Sequence, residues 1–457
     1  MTAGPAPREP LWRAFERRPG RTFAAIAVLF AVAYGSSLVL LPKPDGRIVL
    51  GDAMHEYVQL RSFVFDRDLQ FRNDYVRMYG LHSADEVPWV YEDTATGHVR
   101  NLMPIGPALL WTPAYLLVCA ALWLFDALGG AYPLDGYGRL YQASAGFSGI
   151  AAAALGAWFS YRAAARVVED RIAFWATLAV WLSSSAVYYS VVSPTYSHAA
   201  SMFAVGVFWW AWVSTLPRQD TARYLAVGSL VGVAALMRWQ DAVLLVVPAT
   251  ELCWRWRDGA AAFVARSAAV SAGAIAAFAP QAIVWTVLYG RPFAIPQGPD
   301  FMRWGTPALW SVIFSDNHGL VTWTPIVALA LAGFVPLVRR APLIGVAAVT
   351  FFVASWYVNA CVADWWAGEA FGARRFVSCV PVFVLGLSAL LQIATAPAAI
   401  ARGLTVAFTA YTLLLLIQYQ TFMHGLRQLA PYPRGFFDLW LARFRVPFDV
   451  LAWWLHR

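Results

Sequence analysis

Long apolar runs follow one another almost from end to end of the chain. They lie at about 22–42, 102–126, 141–161, 172–192, 196–214, 224–237, 240–256, 263–288, 318–337, 341–361, 376–396 and 400–422. Runs of this length and apolarity predict membrane-spanning helices. One large polar interruption stands out, between Lys43 and Asn101. Within it, the spacing of Tyr57, Leu60, Val64 and Phe65 predicts a short helix lying in the membrane interface. On that helix Asp52, His55 and Glu56 project to one side. The second half of the interruption, HSADEVPWVYEDTATGHVRN, reads as loop or hairpin with a turn at Thr96-Gly97. The predicted fold is therefore all-α and polytopic, with a large first loop carrying juxtamembrane helices.

Basic residues set the orientation. The N-terminal stretch 1–21 carries Arg8, Arg13, Arg17, Arg18 and Arg21, which places it in the cytoplasm and the first loop, 43–101, outside. Four basic clusters, Arg162/Arg166/Arg171, Arg218/Arg223, Arg255/Arg257/Arg266 and Arg339/Arg340, share one side if the later runs alternate. Segments 193–197, 238–241, 289–317 and 362–375 then face outside. An even number of crossings must separate the N-terminus from 162–171, yet three apolar runs lie between them. Pro104, Gly106, Pro107 and Pro113 make 102–126 the run expected not to cross fully, a juxtamembrane or partly unwound segment. That gives about eleven spans (10–12) and an outer C-terminus; twelve spans with one misplaced basic loop is the alternative. Residues 22–422 form a single transmembrane domain, and 423–457 an interfacial tail with Trp440, Phe444, Phe448, Trp453 and Trp454.

Composition narrows the class. Of 457 residues 60% are hydrophobic and 13% charged, half the charge of a soluble domain, which makes this an integral membrane protein. The net charge of +8 is almost all arginine, with Lys43 the sole lysine. The arginines are scattered between apolar runs and no nucleic-acid motif occurs, so the excess reads as topology and phosphate contacts. Most of the 23 Trp read as interfacial anchors. Cys119, Cys253, Cys361 and Cys379 form no CxxC and indicate neither a disulfide framework nor a zinc site.

On this topology the polar groups gather at the outer face: Asp52 to Glu56, Tyr196-Ser197-His198, Arg238 to Asp241, Arg303 to His318, and Asp364 to Arg375. Arg374 and Arg375 break the positive-inside pattern, which points to an anionic partner. A planar guanidinium fork suits phosphate. An acid near the interface can serve as a general base on a hydroxyl, and arginines beside it can stabilise a phosphate leaving group. Asp52 also reads as an N-cap of the following helix, and Arg238 with Asp241 as a structural pair.

At these residues the chain resembles the GT-C superfamily of integral-membrane glycosyltransferases, which includes the dolichyl-phosphate-mannose-type mannosyltransferases. The matching stretches are Gly51-Asp52 with Tyr57, Asn101 to Pro113, Tyr196-Ser197-His198, Asn317 to Pro325, and Trp365 to Arg375 ahead of a span with Pro381. The resemblance implies an inverting transfer of a sugar from a polyprenyl-phosphate donor to an acceptor hydroxyl of a lipid, glycan or protein, at the outer face of the cytoplasmic membrane. It implies Asp52 as base. The paired acid common in the superfamily is absent, since Ala53 follows Asp52. Glu56 is the candidate second acid, and the need for a divalent metal is open. Arg374, Arg375 and Arg238 are the candidate phosphate ligands, and His55, Tyr57, His198, His318, Trp365, Trp366 and Glu369 the candidate substrate contacts. A transporter or flippase of an anionic substrate, and a non-catalytic assembly subunit, are the competing readings; few mid-span charges and no related halves weigh against the transporter.

Overall fold

A computed structural model describes residues 10–40, 46–421 and 440–456. Among them the chain is helical, with two isolated bridges, Asp93–Val99 and Met302–Val362, as its β-structure. A short helix α1 (Leu11–Arg17) leads into α2 (Pro19–Leu40). The first loop folds as α3 (Asp52–Arg61), α4 (Arg72–Tyr79) and a small hairpin. In that hairpin Thr94 N–H donates to His98 O and Gly97 N–H to Thr94 O, as the Thr96-Gly97 turn requires.

Helix α3 departs from the expected interfacial helix. Nine of its ten residues, Ala53 to Arg61, are buried, so it is a core element of the folded first loop and has no broad exposed face. Asn101 Nδ2 and Gln59 Nε2 both donate to His55 O, at 2.8 and 3.1 Å, tying the helix to the chain ahead of the next element. Tyr57 Oη donates to Gly136 O at 2.6 Å.

That next element, α5 (Gly106–Ala127), is not the partly unwound segment that its prolines suggested. It is one unbroken helix with Pro113 inside it, long and apolar enough to cross a membrane. Its start lies against the backbone of Leu236 and Met237. The chain beyond its end returns at once to the first loop. Tyr115 Oη joins Tyr57 on Gly136 O, Gln142 Oε1 accepts from Ile48 and Val49 N–H, and Arg139 bonds the carbonyl of Leu38. Chain on both flanks of α5 therefore contacts the first loop.

The remaining helices build the bundle: α6 (Arg139–Ala164), α7 (Asp170–Leu182), α8 (Ser185–Val191), α9 (Ser197–Thr215), α10 (Thr221–Met237), α11 (Val246–Trp254) and α12 (Ala260–Tyr289). After α13 (Leu309–Phe314) and α14 (Leu320–Trp323) come α15 (Ile326–Ala332), α16 (Phe334–Arg340), α17 (Pro342–Ala360), α18 (Val380–Gln392) and α19 (Pro397–Thr421). A terminal helix α20 (Val446–Leu455) exposes Phe448, Trp453 and Trp454. Of the predicted tail 423–457, residues 423–439 and 457 lie outside the described residues.

Several runs that read as single spans are broken: 172–192 is α7 and α8, bent by 76°, and 318–337 is α14, α15 and part of α16. Among the described residues seven helices are long and apolar enough to cross, or up to eight with the bent pair counted as one. Helix packing uses small residues, as expected where lipid supplies no hydrophobic drive between helices. At the α10–α12 contact a Cβ on Gly228 would lie 2.0 Å from Val270 O, so a side chain there would push the two helices apart.

Candidate active site

Four elements converge on one point. The first turn of α3 brings Asp52, the start of α9 brings Ser197 and His198, the residue after α10 is Arg238, and the 3-10 turn Arg374–Cys379 ahead of α18 begins with Arg374. Arg374 Nη2 lies 3.0 Å from Asp52 Oδ2. The ring of Tyr196 sits under the same guanidinium, 5.6 Å from its centroid.

Local chain geometry fixes both partners. Gly51 has φ of +55°, and a Cβ there would meet the Tyr196 hydroxyl at 2.5 Å, so glycine alone brings the backbone this close at the head of α3. The Asp52 side chain makes no capping hydrogen bond; it points to Arg374 instead, which sets aside the N-cap reading. On the other side, Phe371 N–H donates to Tyr189 Oη and the Phe371 ring stacks on Tyr188 at 4.9 Å. With Gly372 at φ +63°, these contacts turn the chain so that Arg374 enters the site.

The pair stands between two cavities. One, of ≈ 60 Å³, is lined by Asp52, His198, Arg238, Gln240, Arg374 and Arg375 among others, so guanidinium groups outnumber carboxylates there. The other, of ≈ 740 Å³, is lined by Asp52, Tyr188, Tyr196, Glu369, Arg374 and Tyr419 among others. The side chain of Asp52 is 37% exposed to this space although it lies deep in the protein.

Charge is arranged to keep Asp52 ionised. Burial pushes its carboxyl up, but the surrounding guanidinium groups, Arg374 foremost, together outweigh burial and hold it below the ordinary carboxylate range. Glu56, one helical turn on, behaves oppositely. It is completely buried beside Ser197, its oxygens make no well-formed hydrogen bond, and burial with the neighbouring Asp52 raises it well above its ordinary value. Two carboxyls of one helix are thus driven in opposite directions, the pattern that separates an anionic base from a neutral acid.

The other arginines are partly engaged. Arg375 bonds the Asp364 carboxylate at 2.7 Å and the Asp364 carbonyl at 2.6 Å. Arg238 bonds the Nδ1 of His198, whereas the carboxylate of Asp241 accepts from Ser201, so the expected Arg238–Asp241 pair is replaced by two separate contacts.

Five of the predicted contacts line neither cavity. His55 bonds Tyr75 Oη at 2.7 Å and stacks on Trp89; burial pulls it down to about 4, leaving it neutral. Tyr57 faces Gly136. His318, at φ +67°, bonds the carbonyl of Trp366, and Trp365 packs on the main core. These residues support the site from behind. Tyr196, Gln240, Tyr188 and Tyr419 line the cavities without having been singled out as contacts. Tyr196 and Gln240 flank charged or histidine positions at span ends and were legible as such. Among the described residues no group of three or more His, Cys, Asp or Glu is placed to hold a metal ion.

Together these elements define a polytopic all-α fold class, a helical bundle that carries a folded first loop. Within that class, the chain is similar to ArnT from Cupriavidus metallidurans bound to undecaprenyl phosphate, with a TM-score of 0.50 and 16% identity over 94% of this chain and 73% of that one. ArnT in the apo state gives 0.46 and 13% over 93% and 75%. No protein-family model matches the chain, and no curated protein matches it in sequence.

Proposed function

We propose that the protein is a glycosyltransferase that moves a hexosyl or pentosyl group from a polyprenyl-phosphate donor to an acceptor hydroxyl, with inversion, at the outer face of the cytoplasmic membrane. The observation that carries this reading is the Asp52–Arg374 contact at the junction of two cavities. Asp52 takes the proton of the acceptor hydroxyl as its oxygen bonds to the anomeric carbon. The bond from that carbon to the phosphate oxygen breaks, and the electron pair leaves with the polyprenyl phosphate. Arg374, aided by Arg238 and Arg375, holds the phosphate and offsets the charge that grows on it. The guanidinium excess of the smaller cavity supports placing the phosphate there, and the larger cavity has room for an acceptor. The lipid bound to the structurally similar ArnT supports a polyprenyl phosphate as carrier. Glu369 and Tyr196, on the wall of the larger cavity, are placed to meet sugar hydroxyls.

The test is a membrane assay with a panel of radiolabelled polyprenyl-phosphate sugars, wild type against Asp52→Asn. Transfer by the wild type and none by the variant, at equal membrane levels, is expected. Lipid-linked sugar that crosses the membrane uncleaved in both proteins would favour a flippase instead.

A further inference from the structure

Far from Asp52, a second large cavity opens along the bundle. It is a groove of ≈ 770 Å³ whose floor is α7 (Trp175, Leu178, Leu182) and whose walls are α1 with α2 on one side and α19 on the other. Its lining is almost wholly apolar except at one end, where Arg18 and Arg21 enter. That end is the junction of α1 and α2, at the basic N-terminal stretch.

The neighbouring charges are already paired. Glu16 accepts from Trp175 Nε1 at 2.7 Å and from Arg402 at 3.1 Å, and Arg402 lies over the Trp12 ring. This clamp fixes α1 against α7 and α19 and neutralises the Glu16 carboxylate. Arg18 and Arg21 are exposed, and neither guanidinium bonds or pairs with a described residue. Two free cations at the mouth of an apolar groove between membrane helices match a lipid with a phosphate headgroup: the chain fills space that water would leave unsatisfied, and the phosphate meets the arginines.

We propose that this groove binds an anionic phospholipid, its phosphate held by Arg18 and Arg21 and an acyl chain laid along α7 between α2 and α19. The site is separate from the Asp52 cavities and does not rest on the glycosyltransferase reading.

Native mass spectrometry of the full chain, with phosphatidylglycerol or phosphatidylcholine added, tests it. Retention of phosphatidylglycerol at collision energies that strip phosphatidylcholine is expected. Arg18→Gln with Arg21→Gln should lower that retention by roughly tenfold or more, and Arg18→Lys with Arg21→Lys should keep most of it. Ala410→Trp, which fills the groove and leaves the charges, should lower it as well. Equal retention of the two lipids, or full retention by the double Gln variant, overturns the proposal. So does preferential displacement by undecaprenyl phosphate, which would assign the groove to the carrier lipid. Binding that appears only after removal of residues 2–9 would make the chain's own N-terminus the occupant, and also overturns it.

Discussion

The carboxylate of Asp52, on the first loop, and the guanidinium of Arg374, at the head of a late helix, meet at 3.0 Å. Neither is an ordinary surface charge: one stands at the first turn of a helix whose other nine residues are buried, the other follows a left-handed turn at Gly372. Removing the negative charge while keeping the shape separates chemistry from folding. Asp52→Asn should insert and fold normally and lose about 10²–10⁴-fold in turnover, read as label transfer per unit of membrane protein. Near wild-type turnover would reject Asp52 as the base.

Arg374 offers a planar fork that lysine lacks. Arg374→Lys should cut kcat/KM for the lipid-linked donor by about 10²-fold or more, with the donor KM rising. A change confined to the acceptor KM would move the phosphate away from Arg374.

The pH profile carries a sign. Asp52 is held below the ordinary carboxylate range, so its base form persists as pH falls and is lost only when pH drops through that lowered value. His55, at about 4, is neutral throughout the physiological range. The acid limb of kcat/KM should therefore fall at or below about pH 4. A limb near 6.5 would indicate a histidine as the essential base.

Glu56 is raised, so the linkage runs the other way. Its folded value lies above its unfolded value near 4.5; the stability it contributes is complete below that value and is lost as pH rises through the folded one. Glu56→Gln keeps the shape without a titrating proton. Its thermal midpoint should match wild type below about pH 4.5 and fall less than wild type as pH rises from there, as measured by thermal denaturation in detergent.

Gly51→Ala combines a left-handed backbone with a collision against Tyr196 Oη. The variant should lose more than about 1 kcal/mol and much of its activity. Tyr196→Phe in the same chain removes the collision but not the backbone strain, and so should restore only part of the stability.

The apolar pattern made the polytopic all-α class legible, and the contact of Asp52 with Arg374 joins two groups that both stood out as charges at the ends of apolar runs. What escaped was set by tertiary contact. Helix α3 looks amphipathic in sequence because polar residues such as His55, Gln59 and Arg61 appear free, whereas each finds a buried partner in the folded loop. Residues 106–127 looked unsuited to a helix because of their prolines, yet Pro107 sits in the first turn, where its missing N–H costs nothing, and Pro113 is accommodated within a single helix. Trp366 and His318 looked like ligand contacts because aromatic and imidazole groups serve both sugars and packing; their mutual bond consumes one of them.

The two halves of the candidate centre come from opposite ends of the polypeptide. A nascent chain halted before its last helices would carry the acid and Arg238 without Arg374 or Arg375. On the proposed reading such a chain lacks most of the cradle for a departing phosphate, so reactivity would arise only once insertion is nearly finished.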